Sequence, residues 1–333
     1  MSETISIIIP AYNIQDHLGP TLDSVLTQTY QDLEILVVND GSTDGTATVM
    51  EAYAAKDSRI RAIHKENGGV TSARLCGVAE ATGAYIGFVD GDDHIEPEMY
   101  QRLLENLKQC GADISHCGYQ MVFPSRVDYY YNTGKMTIQQ GKQGCTDLLD
   151  GSFVEPALVN KLYRRELFDG LDAWMDRTVR INEDLLMNFY LFRQVRTAVF
   201  EDICPYHYVL RKGSASTSRL NAHKLQDPLK VLHLILDETA DVPEWKQIVE
   251  RRLIYQLVGS ATISLGEQRE LILPCRKAAR KELRSCLGMA LRGPFTKKLK
   301  MMAIWSAVCP DSYCWVHRIY ARISGVEKKY EVR

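Results

Sequence analysis

The sequence predicts an α/β fold: a mostly parallel sheet flanked by helices, followed by a helical C-terminal extension. Three observations predict it. The first 120 residues alternate short apolar runs with amphipathic stretches, and βα units this short imply parallel strands covered by helices. The apolar run at 84–88 leads into Val89-Asp90-Gly91-Asp92-Asp93-His94, which sets three carboxylates at the C-terminal edge of a strand, where open α/β sheets bind ligands. After about Leu220 strand signals give way to long amphipathic stretches.

Each element follows from its residues. Ile5-Ser6-Ile7-Ile8-Ile9 is a strand stopped by Pro10, and Leu18, Leu22, Val25 and Leu26 then recur at helical spacing. Residues 34–38 form the second strand. It ends at Asn39-Asp40-Gly41-Ser42, after which Thr43 or Asp44 caps a helix through Lys56. A shorter third strand covers 60–63. Asn67-Gly68-Gly69 precedes a helix through Thr82, which Gly83 ends. The fourth strand reaches Asp90, Pro97 sits near the first turn of the next helix, and 114–119 is a fifth strand. Beyond Pro124 the pattern turns irregular. A hairpin is predicted at 127–134, a short helix at 141–150, a helix from Asn182 through Phe192, and separate strands at 197–200 and 206–210. The predicted boundary divides residues 1–220 from a helical region, 221–333.

Composition narrows the class. With 333 residues, 45% of them apolar and 25% charged, the chain can bury one large core or two smaller ones. No apolar run reaches the length of a membrane span and the N-terminus shows no signal-peptide pattern, so a cytoplasmic protein is expected. Nine cysteines, scattered and without a CxxC pair, suit reduced thiols rather than disulfides or a zinc cluster. The net charge of −2 hides an asymmetry: residues 269–333 hold 15 Lys/Arg against 5 Asp/Glu, a balance of +10, leaving −12 on residues 1–268. A basic tail on an acidic body suggests an anionic surface as partner.

The acidic turn has a chemical reading and a plain one. Three crowded carboxylates repel one another unless a cation sits among them, and oxygen-only ligands suit Mg²⁺ or Mn²⁺. The plain reading is a solvated turn. Other segments decide between them. Ile8-Ile9-Pro10-Ala11-Tyr12-Asn13, Ser24-Val25-Leu26-Thr27-Gln28-Thr29-Tyr30, the stretch from Glu34 to Asp44 and Phe88-Val89-Asp90-Gly91-Asp92-Asp93 closely resemble the family 2 inverting glycosyltransferases. The similarity runs in order across 5–110 and resumes at Asn160 and Glu183; the last 110 or so residues match nothing.

The resemblance implies a GT-A fold, a nucleotide-sugar donor, expected to be a UDP-sugar, and a hexosyl- or N-acetylhexosaminyl-type transfer. It implies that Pro10, Ala11, Tyr12 and Asn13 cup the base and that Asp40 accepts from its N3–H. Asn67, Gly68 and Arg74 would approach the nucleotide, although Leu75 stands where many members have Asn. Asp92 would contact the ribose and Asp93 a Mn²⁺ or Mg²⁺ ion bridging the diphosphate, with Asp90 supporting the turn; which of the three carboxylates touches metal stays open, and Asp92 is the second candidate. In Asn182-Glu183-Asp184, Asp184 would be the general base and Glu183 a group orienting the acceptor. Capping and the helix dipole explain such an acidic pair equally well. The segment Asn160-Lys161-Leu162-Tyr163-Arg164-Arg165-Glu166-Leu167-Phe168 would line the acceptor side. Arg211 or Lys212 would meet the diphosphate, and His207 is either near the metal or structural.

The acceptor is expected to be a glycan or a lipid-linked sugar. Interleaved basic, Met and aromatic residues from Leu287 to Tyr320 suit peripheral contact with the inner membrane face; packing on the body or a dimer contact competes. Nucleic acid is not expected, because the acidic body opposes it. The alternatives in other classes are a nucleotide-sugar-binding protein without transfer activity and a sugar nucleotidyltransferase. The latter needs a Gly- and Lys/Arg-rich phosphate loop after the first strand, where Pro10-Ala11-Tyr12-Asn13 stands instead.

Overall fold

A computed structural model describes residues 3–129, 132–211 and 219–324. The chain divides into two compact units, Met1–Ser214 and Ala215–Arg333.

The first unit is built on one sheet. Strand β1 (Ile5–Ala11) is buried along nearly its whole length because its isoleucines face helices on both sides of the sheet. Burying each such side chain contributes about 1.5–3 kcal/mol as an upper estimate. Helix α1 (Gln15–Leu26) buries Leu18, Leu22 and Val25. Then follow β2 (Leu33–Asp40), α2 (Thr46–Ala54), β3 (Ile60–Lys65), α3 (Val70–Glu80) and β4 (Tyr85–Phe88). The order β3-β2-β1-β4 is parallel throughout. Asp44 Oδ1 accepts from the Thr46 amide at 3.0 Å, so it serves the first turn of α2 although Gly45 is the boundary residue.

Beyond β4 the sheet becomes mixed. The next elements are β5 (His94–Ile95), α4 (Met99–Gln109), β6 (Ile114–Phe123), β7 (Arg126–Tyr129), β8 (Met136–Gln140) and α5 (Gln143–Asp150). They lead to β9 (Lys161–Arg164), α6 (Glu183–Phe192) and β10 (Thr197–Val209). The short β9 fills the middle of the sheet, antiparallel to both β4 and β6. Strand β10 pairs parallel with β6 and antiparallel with β8 and β5. Two expectations are corrected. Residues 197–200 and 206–210 are not separate strands but one strand whose register shifts between Glu201 and Tyr206. The hairpin expected at 127–134 is not formed there: residues 126–129 pair instead with β6, with Phe123 opposite Arg126; Tyr130 and Tyr131 lie outside the described residues.

The second unit is helical among the described residues: α7 (Ala222–Asp237), α8 (Pro243–Thr262), α9 (Arg269–Ser285), α10 (Leu287–Arg292), α11 (Lys297–Val308) and α12 (Pro310–Ser324). Asn221 caps α7 by accepting from the Lys224 amide at 3.0 Å, and Thr296 caps α11. Leu253 and Leu257 of α8, Ile272 and Leu283 of α9, and Leu299 and Ala303 of α11 are buried. No helix of the described residues is long and apolar enough to cross a membrane. All nine cysteines are free.

Candidate active site

The acidic turn after β4 is locked by the far end of β10. Tyr206 Oη donates to Asp93 Oδ2 at 2.7 Å, and the Val209 amide donates to Asp93 Oδ1 at 2.8 Å. The Asp90 amide in turn donates to Tyr206 Oη at 3.2 Å. Asp93 is therefore enclosed, only 1% exposed. Burial, then the charges of Asp90 and Asp92, hold its carboxyl well above the usual carboxylate range. Its neighbour differs. Asp92 is partly exposed, and Arg211 places Nε and Nη2 on its Oδ2 at 2.8 and 2.7 Å.

Arg74 joins this turn to the start of α6. Its Nη2 donates to Asp90 Oδ1 at 2.9 Å and its Nη1 to Glu183 Oε1 at 3.2 Å. The guanidinium is buried and its Nε has no hydrogen-bond partner. Burial opposes its charge, yet Asp90, Glu183 and Asp184 together raise its pKa. The pair it faces is held by backbone geometry. Asn182 adopts the left-handed conformation, φ 65°, which Asn tolerates better than most residues, and turns the chain into α6. Burial and the Asp184 charge raise the Glu183 carboxyl, against the pull of Arg74. Burial also raises that of Asp184, against Arg74 and the Leu185 amide, which donates to Asp184 Oδ1 at 2.8 Å.

A glycine turn forms the third wall. Asp40 ends β2, and its Oδ1 accepts from Lys65 Nζ at 2.6 Å and the Gly68 amide at 2.9 Å, while Oδ2 accepts from the Gly69 amide at 2.7 Å. Asn67 Nδ2 donates to the Asp40 carbonyl at 2.9 Å. Gly69 has φ +86°, a conformation that favours glycine. Arg180 lies across the turn, donating through Nη1 to the Gly68 carbonyl. A Cβ on Gly69 would collide with that nitrogen. After β1, Asn13 at φ 50° accepts from the Thr43 amide at 2.8 Å, and its own amide donates to Ser42 Oγ at 3.1 Å. These bonds tie the exit of β1 to that of β2. Pro10 and Ala11 complete β1, and Tyr12 stands exposed beside them.

Thus Asp90, Arg74, Glu183 and Asp184 form one cluster, Asp92 with Arg211 a second group, and Asp40 with Asn67 and Gly68 a third. Lys65, Arg180 and Tyr206 were not singled out in the sequence. The last lies in the strand predicted at 206–210. Asn160 and Lys161, expected to line the acceptor side, are fully buried; Lys161 Nζ donates to the carbonyls of Glu155 and Ala157 and to Asn160 Oδ1. His207 pairs with Glu96 at 3.2 Å, which is the structural alternative. Lys212 lies outside the described residues.

The described residues contain no group of three or more His, Cys, Asp or Glu arranged to hold a metal ion. Mg²⁺-type sites at nucleotides need only one or two carboxylates plus phosphate oxygens, so the donor set decides. Asp92 fits, because both Arg211 bonds fall on Oδ2 and leave Oδ1 outside the pair. Asp93 fits poorly as the ligand expected from the sequence: it is enclosed among groups fixed in β10, whereas Asp92 is partly exposed.

Comparison with known proteins agrees with this architecture. The family model Glycosyl transferase family 2 matches residues 6–171, a stretch that includes the acidic turn and the Asp40 turn and stops short of Glu183. Glycosyltransferase GlyG of Streptococcus pneumoniae serotype 4 is 30% identical over 243 residues, covering 69% of this chain and 79% of that protein. The uncharacterized glycosyltransferase EpsJ of Bacillus subtilis is 38% identical over 212 residues, covering 62% of this chain but only 61% of EpsJ. Among solved structures, Staphylococcus aureus TarS 1–349 in complex with UDP-GlcNAc superimposes with a TM-score of 0.74 at 21% identity, covering 96% of this chain and 92% of that one. The fold is the GT-A fold. The chain belongs to glycosyltransferase family 2.

Proposed function

We propose that this protein transfers a sugar from a UDP-sugar to a hydroxyl of a saccharide, free or lipid-linked, with inversion at the anomeric carbon. One observation carries the reading: Arg74 binds the acidic turn with one nitrogen and Glu183 with another, so the donor edge and the candidate base belong to one buried network. The UDP-GlcNAc complex of TarS supports uridine as the donor nucleotide. Tyr12 offers a face for the uracil ring. Asp40 Oδ2 accepts a single bond, which leaves a lone pair for the N3–H. Arg211 exchanges Asp92 for a diphosphate oxygen, a geometry its fork of donors suits. Where a Mn²⁺ or Mg²⁺ ion is bound, Asp92 holds it and it offsets charge on the departing diphosphate.

Asp184 then takes the proton from the acceptor hydroxyl. The oxygen's electron pair forms the new bond to the anomeric carbon, on the face opposite the diphosphate. The old C–O bond breaks with its electron pair going to UDP, and one displacement inverts the centre. A carboxylate raised by burial is a stronger base than one in water, which suits this step. Glu183, held by Arg74, orients the acceptor. UDP release from a panel of UDP-sugars and saccharide acceptors, with the product anomer read by NMR, tests the proposal. Asp184→Asn should keep donor affinity and lower turnover by about 10²–10⁴-fold. Retained configuration, or donor affinity falling in step with rate, would remove Asp184 as the base.

A further inference from the structure

Helix α11 has apolar residues on two opposite faces. Leu299, Ala303, Ser306 and Ala307 are buried within the helical unit. Met301, Ile304 and Val308, spaced as a single stripe on the other side, are 57%, 43% and 60% exposed. Lys297 heads the same stripe one turn earlier, and a shallow groove is lined by Lys297, Lys300, Met301, Ile304 and Trp305. The next helix adds Trp315, 65% exposed, with Val316 and Ile319 at 40% each. A surface helix needs one apolar stripe to hold it in place. A second one, contiguous and exposed, marks an interaction surface.

Charge selects the partner. Part of the tail's basic character is consumed inside the unit: Arg276 Nε donates to the Ala261 carbonyl, Arg280 and Arg284 to that of Ala307, and Arg280 also to that of Val308. Those arginines meet carbonyls at the C-terminal ends of α8 and α11. Lys297 and Lys298, by contrast, are exposed beside the stripe, and α11 contains no acidic residue at all. In a contact of this helix with its own copy, no carboxylate of the helix would meet these lysines. A bilayer rich in anionic lipid matches both halves of the surface: phosphates for the lysines and acyl chains for the stripe.

We infer that the exposed stripe of α11 is a docking surface for an anionic lipid bilayer. The helix lies in the interface, with Met301, Ile304 and Val308 inserted and Lys297 and Lys298 at the phosphates. Binding is independent of the transfer reaction. The test is co-sedimentation of the full chain with vesicles of phosphatidylcholine, alone or mixed with phosphatidylglycerol. Wild-type protein should pellet only with the mixed vesicles, and added salt should weaken binding. Met301→Glu with Ile304→Glu should lower the partition coefficient at least about tenfold through lost apolar burial, and Met301→Ser with Ile304→Ser should lower it in the same direction. Lys297→Gln with Lys298→Gln should also lower it about tenfold. All three variants should keep the wild-type melting temperature and donor turnover, since these side chains are exposed. Equal binding to both vesicles, or none to either, would overturn the inference. So would a concentration-dependent dimer in sedimentation equilibrium that Met301→Glu abolishes, because the face would then belong to a second copy.

Discussion

Asp92 and Asp93 are adjacent in sequence and opposite in circumstance. Asp93 gives both oxygens to Tyr206 and Val209, whereas Asp92 pairs with Arg211 near solvent. Asp93→Ala should leave a buried hydroxyl and a buried amide unpaired and cost about 2–4 kcal/mol. Asp92→Ala removes only a partly exposed ion pair, worth about 0–1 kcal/mol, while weakening Mn²⁺ binding to the UDP-loaded protein. Urea denaturation beside a Mn²⁺ titration reads both, and the reverse pattern would return the ion to Asp93. Glu183 carries a second prediction. Its carboxyl, raised from 4.5 to about 7, binds its proton more tightly in the folded chain than in the unfolded one. Stability should therefore be greatest below about pH 4.5 as far as this group is concerned, and fall as pH climbs toward about 7. Turnover should rise over the same window as the Glu183–Asp184 pair loses its proton. Glu183→Gln should flatten the fall, measured as urea midpoints at acid and alkaline ends; an unchanged slope would place the titration elsewhere. Much of the site was legible because Asp90, Arg74 and the Glu183–Asp184 pair stand in recognisable local patterns. The enclosure of Asp93 was not legible, because its partners lie 113 and 116 residues away, beyond what a local pattern encodes.

At the scale of elements, the turn at Gly68–Gly69 shows how a short segment couples two walls. Asp40 fixes the turn from below and Arg180 from above. Gly69→Ala should cost about 1–3 kcal/mol, from the φ +86° backbone and from driving Arg180 off the Gly68 carbonyl. In an Arg180→Ala background the steric share should vanish, leaving only the backbone penalty. A double-mutant cycle by denaturation separates the two; full additivity would mean that Arg180 does not press on the turn. The alternating βα elements of the first half were legible because continuous apolar runs between Gly and Pro signals have few other folded solutions. Strand β9 escaped notice because it holds only four residues, two of them Lys161 and Arg164. Its position in the middle of the sheet is set by β4 and β6, not by its own periodicity. Strand β10 looked broken because Asp202 and Pro205 interrupt its apolar pattern where the register shifts.

Across the whole molecule the same strand has a consequence in time. Residues 5–88 contain four parallel strands joined by local connections, so they can pair early at little loop-closure cost. The acidic turn is different, because the groups that fix Asp93 belong to the end of β10. A chain emerging from the ribosome therefore carries its DGDD segment in an unfastened state while more than a hundred further residues are made. Until Val209 has cleared the exit tunnel, Arg74 can hold Asp90 but Asp93 and Asp92 lack their partners, and affinity for nucleotide should be lacking. Ribosome-stalled chains ending before and well after β10 should separate accordingly in UDP retention. A half-made enzyme of this design would neither sequester nor hydrolyse the cell's activated sugars, since its last strand is also its licence to bind them.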